Sequence, residues 1–520
     1  MWNQWFKQAG AWRGRMARWD WWAMGLVCLS VGLRWCLVLR GGQFYFLDEK
    51  RFWWSGLVVY WFHEGHWRKA LEPILDWNQH PGFTCLGCVP VAVHWACAAT
   101  MGMSIGQIPF ESTVRFSAAV LSMASVVSIV LIAAIVRRAG GDRRESLMAM
   151  ALMTGSNSIF FYSRHTLPYD ASLALALGSL AVGMQKGGWA RSLFSGWLAG
   201  AAFFTYYRYW AVVFVISGTV IMWNASSLRE VGYRFFWFTL GPLTWFLVFT
   251  AGRAVVFGRS FVEGMVSFAA TASPQMYSEG WWAPWSFLWY AEHGLLVFWL
   301  AALAWILWLA VRRCHIPTYG LVWVAMLGTL YGLLILGSLE LSSLAVYGRA
   351  ARQMVPFLCL IGAFAGLRLW DTARRTWGRP MLQAGGILLI VQAGWNLRVP
   401  LQQWFPRDVR RLVAAEYKVF SEATTIDCSR VEDEFEPSKA PTPPTRYVLL
   451  NAQYLEHIQG AIRPPQGRVV LRFAHPMQFP PYQYEEFTAR ERALIRRTDI
   501  SMRLVDTAGQ PELANPRTIP

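Results

Sequence analysis

What most constrains this chain is an alternation that runs through three quarters of it: apolar runs long enough to cross a bilayer, separated by short basic connectors. Twelve such runs occur, near 21–39, 83–103, 116–136, 146–163, 171–184, 192–207, 209–223, 235–257, 293–311, 318–338, 353–370 and 381–398. In lipid the backbone has no water to bond to, so each run must satisfy its own N–H and C=O groups as a helix. With 55% hydrophobic and only 15% charged residues, the chain has too little charge to clothe one soluble globule. It is therefore expected to be an all-α polytopic membrane protein.

The net charge of +17 sits mostly in the connectors, where the positive-inside rule and anionic headgroups place it. A basic balance without a reading motif does not indicate nucleic acid, and none is expected as a partner; membrane lipids are. Residues 1–20 carry Lys7, Arg13, Arg15 and Arg18 with Trp2, Trp5, Phe6, Trp12 and Trp19, and read as a cytoplasmic amphipathic N-terminus. The following run is too long and too bulky, with Trp22 and no small-residue cleavage site, for a secretory signal. It reads as a retained first span.

If all basic connectors are cytoplasmic, an even number of crossings separates Arg18 from Arg137, yet three apolar runs lie between them. The weakest is 83–103, which holds Pro90, His94 and three cysteines and follows a polar stretch. It is expected to lie on or dip into the outer leaflet, leaving about eleven transmembrane helices. Residues 21–400 then form a transmembrane domain with a first outer loop at 40–115, and residues 401–520 form an extracytoplasmic C-terminal domain. In that tail a Pro-rich linker (PSKAPTPP, 437–444) and alternating stretches (RYVLLNAQ, GRVVLRF, ISMRLVD) predict a small α/β domain.

The same parity puts scattered polar residues on one outer face. Asp48 and Glu49 follow the first span in QFYFLDEKRFWW; a carboxylate pair at a membrane boundary is either solvated or functional, and a helix cap is the plain alternative. Arg164, His165 and Asp170 arrive in SRHTLPYDASLAL, and His80, Glu111, Arg115, Arg208, Glu292, His293, Arg349 and Arg352 lie in further outer loops. Separated acids with several arginines suit a phosphate-bearing substrate: arginine binds phosphate bidentately, and aspartate can take a proton from an attacking hydroxyl. The outer tryptophans, Trp53, Trp54, Trp61, Trp281, Trp282, Trp285 and Trp289, could grip a sugar or prenyl chain, or simply anchor at the interface.

Five segments fall in a telling order: LDEKRF, NQHPGFTCLG, PFESTVRFSAAV, SRHTLPYD and YGRAARQMVPFL. Together, over about residues 21–400, they resemble the C-type (GT-C) membrane glycosyltransferases, especially the branch of the protein O-mannosyltransferases and the lipid A aminoarabinose transferase. The resemblance implies a GT-C fold and an inverting transfer of a sugar from a polyprenyl-phosphate-linked donor to a hydroxyl on a protein, lipid or glycan outside the cytoplasm. It implies Asp48 as general base, with Glu49 supporting it and Asp170 as second acid of the site. His80, Arg115, Arg164, Arg208, Tyr347 and Arg349 would line the donor or acceptor cavity. The place implied is a plasma membrane, the inner membrane of a bacterium, crossed many times. One departure stands out: Gly82 and Phe83 replace the Pro and Leu of the family's His-Pro-Pro-Leu-like segment.

Paired acids can bind a divalent cation, but Asp48 and Asp170 can equally work without one. Cys85 and Cys88 form a CxxC near His80 and His94, at spacings that make no closed metal site, and neither a metal nor a disulfide is expected there. The competing function is a transporter or flippase of a lipid-linked or envelope component, with intramembrane charges along a substrate path; no repeated halves support it. A scaffold for envelope assembly would leave the acids unconstrained.

Overall fold

The computed structural model describes residues 18–41, 49–76, 80–108, 110–185, 187–258, 260, 262–263, 280–314, 316–339, 348–376 and 379–402, and four strands between 447 and 519. They fall into two compact units, one built from residues up to 275 and 280–404, the other including 405–520.

The first unit is helical: α1 (Arg18–Leu39), α2 (Lys50–His63), α3 (Trp67–Leu75), α4 (Pro81–Thr100), α5 (Phe110–Ala139), α6 (Arg143–Thr154), α7 (Asn157–Phe160), α8 (Tyr169–Gly183), α9 (Trp189–Thr205), α10 (Trp210–Met222), α11 (Leu228–Phe257), α12 (Ala283–Glu292), α13 (Gly294–Val311), α14 (Thr318–Leu339), α15 (Gly348–Ala351), α16 (Val355–Thr376) and α17 (Arg379–Gln402). Among the described residues seven helices, α1, α4, α5, α11, α13, α14 and α16, are long and apolar enough to cross a membrane. The chain is a polytopic helical membrane protein.

Local chemistry sets the helix ends at the basic connectors. After Arg137 and Arg138, Gly140 turns α5 off at φ 99°, and Gly141 N–H bonds back to Val136 C=O. Asp142 then caps α6 by accepting from Glu145 N–H at 2.7 Å. Ser227 caps α11 in the same way, and Gly258 ends it at φ 63°.

Side-chain bonds gather these connectors at one end of the bundle. Arg143 reaches Asp20 of α1, Arg144 pairs with Asp371 of α16 at 3.0 Å, and Arg138 donates to Ala181 C=O at the end of α8. Tyr319 O–H and Arg368 both reach Glu145, tying α6 to α14 and α16. The opposite end is joined by a different set: Arg164 to Leu37 of α1, Arg352 to Asp170 of α8, Asn396 of α17 to Glu292 of α12, and Gln353 to the 207–209 turn after α9. The chain thus shuttles between a basic end and a second end, which we call the site end.

Helix α4 is the exception. Its first turn lies against the close of α9, where a Cβ on Gly82 would stand 2.8 Å from backbone atoms of Phe204 and Thr205. Its last turns meet the start of α5, with Trp95 Nε1–H donating to Thr113 Oγ1 at 3.2 Å. Both contacts belong to the site end, although α4 is long and apolar enough to cross a membrane. The same contact accounts for Gly82 where the resemblance leads one to expect proline: any side chain there would collide with α9.

The run 146–163, read from sequence as a single span, is broken. Helix α6 stops at Thr154, Gly155 and Ser156 intervene, and α7 and a 310 turn at Phe161–Arg164 follow. The break presents free N–H groups that Glu292 satisfies.

Close helix contact is decided by small residues. Gly196 and Gly200 of α9 face Gly241 and Pro242 of α11, and a Cβ on Gly196 would fall 1.9 Å from Phe238 O. Replacing Gly196 with leucine is expected to part these helices and lower the melting temperature of the purified chain clearly, while alanine costs about 1–3 kcal/mol of stability. A Gly196→Leu variant that melts with wild type would contradict this packing.

The second unit holds β1 (Tyr447–Asn451), β2 (Arg468–Phe473), β3 (Met502–Asp506) and β4 (Arg517–Ile519) in the order β1-β3-β2-β4. Strand β3 runs antiparallel to β1 and β2, in register Leu449 to Leu504 and Leu471 to Leu504, while β4 is parallel to β2. Each of the three alternating stretches singled out in the tail contains one of these strands.

Candidate functional site

The site end collects buried charge. Glu49 stands immediately before α2 and is fully buried, without capping that helix. Its carboxylate turns instead to the segment before α8: Thr166 N–H donates to Oε1 at 2.8 Å, Thr166 O–H at 3.2 Å, and His165 Nδ1–H to Oε2 at 3.3 Å. A carboxylate this well supplied with donors is locked in place rather than solvated.

Asp170 lies in the first turn of α8, where the helix dipole favours an anion, and pairs with Arg352 in the 310 turn preceding α16. Both are buried. The Arg352 guanidinium also lies over the rings of Tyr162 and Tyr169, at 4.9 and 5.9 Å from their centroids. Flat stacking and a forked donor are properties of arginine that lysine lacks.

Two further arginines are buried at the site end. Arg164 donates to Leu37 C=O at 3.2 Å. Arg34, from the apolar face of α1, donates to Ser125 Oγ of α5 and to Ser30 C=O, and interacts electrostatically with both Asp170 and Arg352. Arg34, Arg164 and Arg352 are thus buried at the site end together with the carboxylates of Glu49, Asp170 and Glu292. Arg34 escapes sequence reasoning because it looks like a lone interruption of an apolar span. The signal available was its cost, since an arginine retained in a span marks a functional or paired site.

An aromatic shelf continues from the pair. Tyr162 meets Tyr169, Tyr169 meets Tyr206 at 4.8 Å, and Tyr206 meets the ring of His80 at 5.1 Å. His80 is buried and holds a left-handed backbone (φ 55°) directly before Pro81, a strained conformation kept only where the surroundings enforce it. It packs on Tyr207 as well, at 4.9 Å.

The other expected site residues separate. Arg208 is half-buried in the 207–209 turn, and its carbonyl accepts from Gln353 Nε2, next to Arg352. Arg115 is half-buried on α5, and none of the described hydrogen bonds joins it to the Glu49 or Asp170 groups. Asp48 and Tyr347 lie outside the described residues, as do the side chains of Glu111 and Arg349.

Glu292, one of the polar residues expected in the outer loops, takes a structural place. It is wholly buried, accepting from Ser156 O–H at 2.6 Å, Asn157 N–H at 3.0 Å and Ser158 N–H at 2.8 Å. It caps α7 from another part of the chain and so fixes the segment that leads to His165 and Asp170. Cys85 and Cys88 are unbridged. Among the described residues no group of three His, Cys, Asp or Glu side chains is placed to hold a metal ion.

No family model matches the chain, and no curated protein matches it. Among solved structures it is similar to the archaeal oligosaccharyltransferase AglB from Archaeoglobus fulgidus, in complex with an inhibitory peptide and a dolichol-phosphate. The TM-score is 0.43 at 11% identity, over 82% of this chain and 60% of that one.

Proposed function

We propose that the chain is an inverting membrane glycosyltransferase of the C type, moving a sugar from a polyprenyl-phosphate donor to a hydroxyl acceptor at the site end. The observation that carries this reading is the buried charge: Arg34, Arg164 and Arg352 around Asp170 and Glu49, at the end of the bundle away from the basic connectors. Arginine grips a phosphate ester through a planar fork of donors, and a polyprenyl phosphate entering from the membrane presents such an ester. In this scheme about eleven helices cross, the site end and the C-terminal unit face outward, and the membrane is a bacterial inner membrane.

Asp48 takes the proton as the acceptor oxygen attacks the anomeric carbon. The bond from that carbon to the phosphate oxygen breaks, and polyprenyl phosphate leaves with the electron pair, its charge met by the arginines. Glu49, held by Thr166 and His165, anchors the chain next to Asp48. Asp170 orients Arg352 rather than moving a proton, and the buried tyrosines that lead to His80 pack behind the pair and hold it in place.

The test is transfer of labelled sugar from polyprenyl-phosphate donors in membranes carrying Asp48→Asn or Asp170→Asn. Asp48→Asn should lose at least about 100-fold in rate, the scale of a lost general base. Full activity in both variants would remove the reading.

A further inference from the structure

A second feature lies at the basic end, far from the charged site. Between α10 and α14 lies a cavity of about 610 Å³, with Ala139 at the end of α5 in its lining. Phe214, Met222, Val322 and Met326 form its apolar walls. Asn224, Thr318 and Tyr319 make its polar mouth. From Thr318 to Thr329 along α14 it runs about 16 Å, the depth of one leaflet of a hydrocarbon core about 30 Å thick.

The surroundings of the mouth are cationic. Arg234 donates to the carbonyl of Trp223, a lining residue, and Arg368 donates to Tyr319 O–H. Arg137 and Arg138 precede Ala139, and the exposed Arg312 and Arg313 begin the turn into α14. The acids beside them are engaged: Glu230 with Arg234 and Ser226, Glu145 with Tyr319 and Arg368.

We propose that this cavity is a binding site for an anionic membrane phospholipid, with one acyl chain between α10 and α14 and its phosphate at the arginine-rich mouth. Two observations meet in it: a largely apolar slot of leaflet depth, and an excess of guanidinium around the end that Asn224, Thr318 and Tyr319 line. The site does not depend on sugar transfer, since it lies at the other end of the helices. A lipid here would fill the space between α10 and α14 and brace α14 against α5.

The test uses the full chain, stripped of lipid in detergent and offered equal phosphatidylglycerol and phosphatidylcholine, with bound lipid read by native mass spectrometry. Wild type should retain phosphatidylglycerol over phosphatidylcholine by roughly tenfold or more. Gly218→Leu fills the slot from an open position, where the nearest atom to an added Cβ is Met222 Cε at 4.0 Å, and should lose retention of both lipids. Arg312→Gln with Arg313→Gln should keep a lipid but lose the headgroup preference. Equal retention of the two lipids by wild type, unchanged retention by Gly218→Leu, or a lipid-free dimer abolished by Gly218→Leu would each overturn the proposal.

Discussion

Replacing Arg352 with leucine should abolish sugar transfer and destabilise the protein together. The substitution strips Asp170 of its partner inside the protein, and breaking a buried pair from one side costs about 3–5 kcal/mol. Loss of activity alone would then be ambiguous, so two companions separate the roles. Arg352→Lys keeps the charge but gives up the planar fork and the stack on Tyr162 and Tyr169. It should melt within a few degrees of wild type while transfer falls by about two orders of magnitude. The double variant Asp170→Leu with Arg352→Leu removes both charges and should recover part of the lost stability but none of the activity. Transfer at wild-type rate in Arg352→Lys would show that the guanidinium is not what the leaving group meets.

Glu292→Ala should rank next. Three donors, Ser156 O–H and the N–H groups of Asn157 and Ser158, lose their acceptor at a place without solvent. Each stranded donor costs about 1–3 kcal/mol, so a loss of 3 kcal/mol or more is expected, close to the whole margin of many domains. Activity should fall with stability, because the freed segment carries His165, Thr166 and Asp170. Glu292→Gln keeps the shape and one acceptor oxygen and should fall between alanine and wild type. Thermal unfolding of the purified variants reads the order directly; an alanine variant melting within a degree of wild type would mean that the cap contributes nothing.

Much of the scaffold was legible beforehand, for reasons that are local. Helix in the apolar runs follows from what lipid denies the backbone. The end at Arg137–Gly141 is written within a few residues, as a glycine that can turn left-handed, whereas α11 starts after Ser227, ahead of the expected 235, and takes the basic stretch 229–234 into the helix. Parity singled out 83–103, and α4 there is long and apolar enough to cross while touching the site end near both its ends. The failure at 146–163 has an equally local cause. Gly155 and Ser156 are ordinary in a membrane helix, and the reason the helix stops there is Glu292, which lies more than a hundred residues away.

The site divides along the same line. Glu49, His80, Arg164 and Asp170 could be named from sequence because polar residues at the ends of apolar runs are conspicuous. What could not be named is which partner each would take. Glu49 turned away from its own helix to Thr166 and His165, Asp170 took Arg352, and Arg34 was hidden within a span. Sequence by itself determined that the chain crosses the membrane many times and which basic segments separate its apolar runs, because lipid and charge act over a few residues. Only the tertiary structure decided how three arginines and three carboxylates are buried at one end and which acid became a cap, because those pairings join residues far apart in the chain and exist only once the helices have packed.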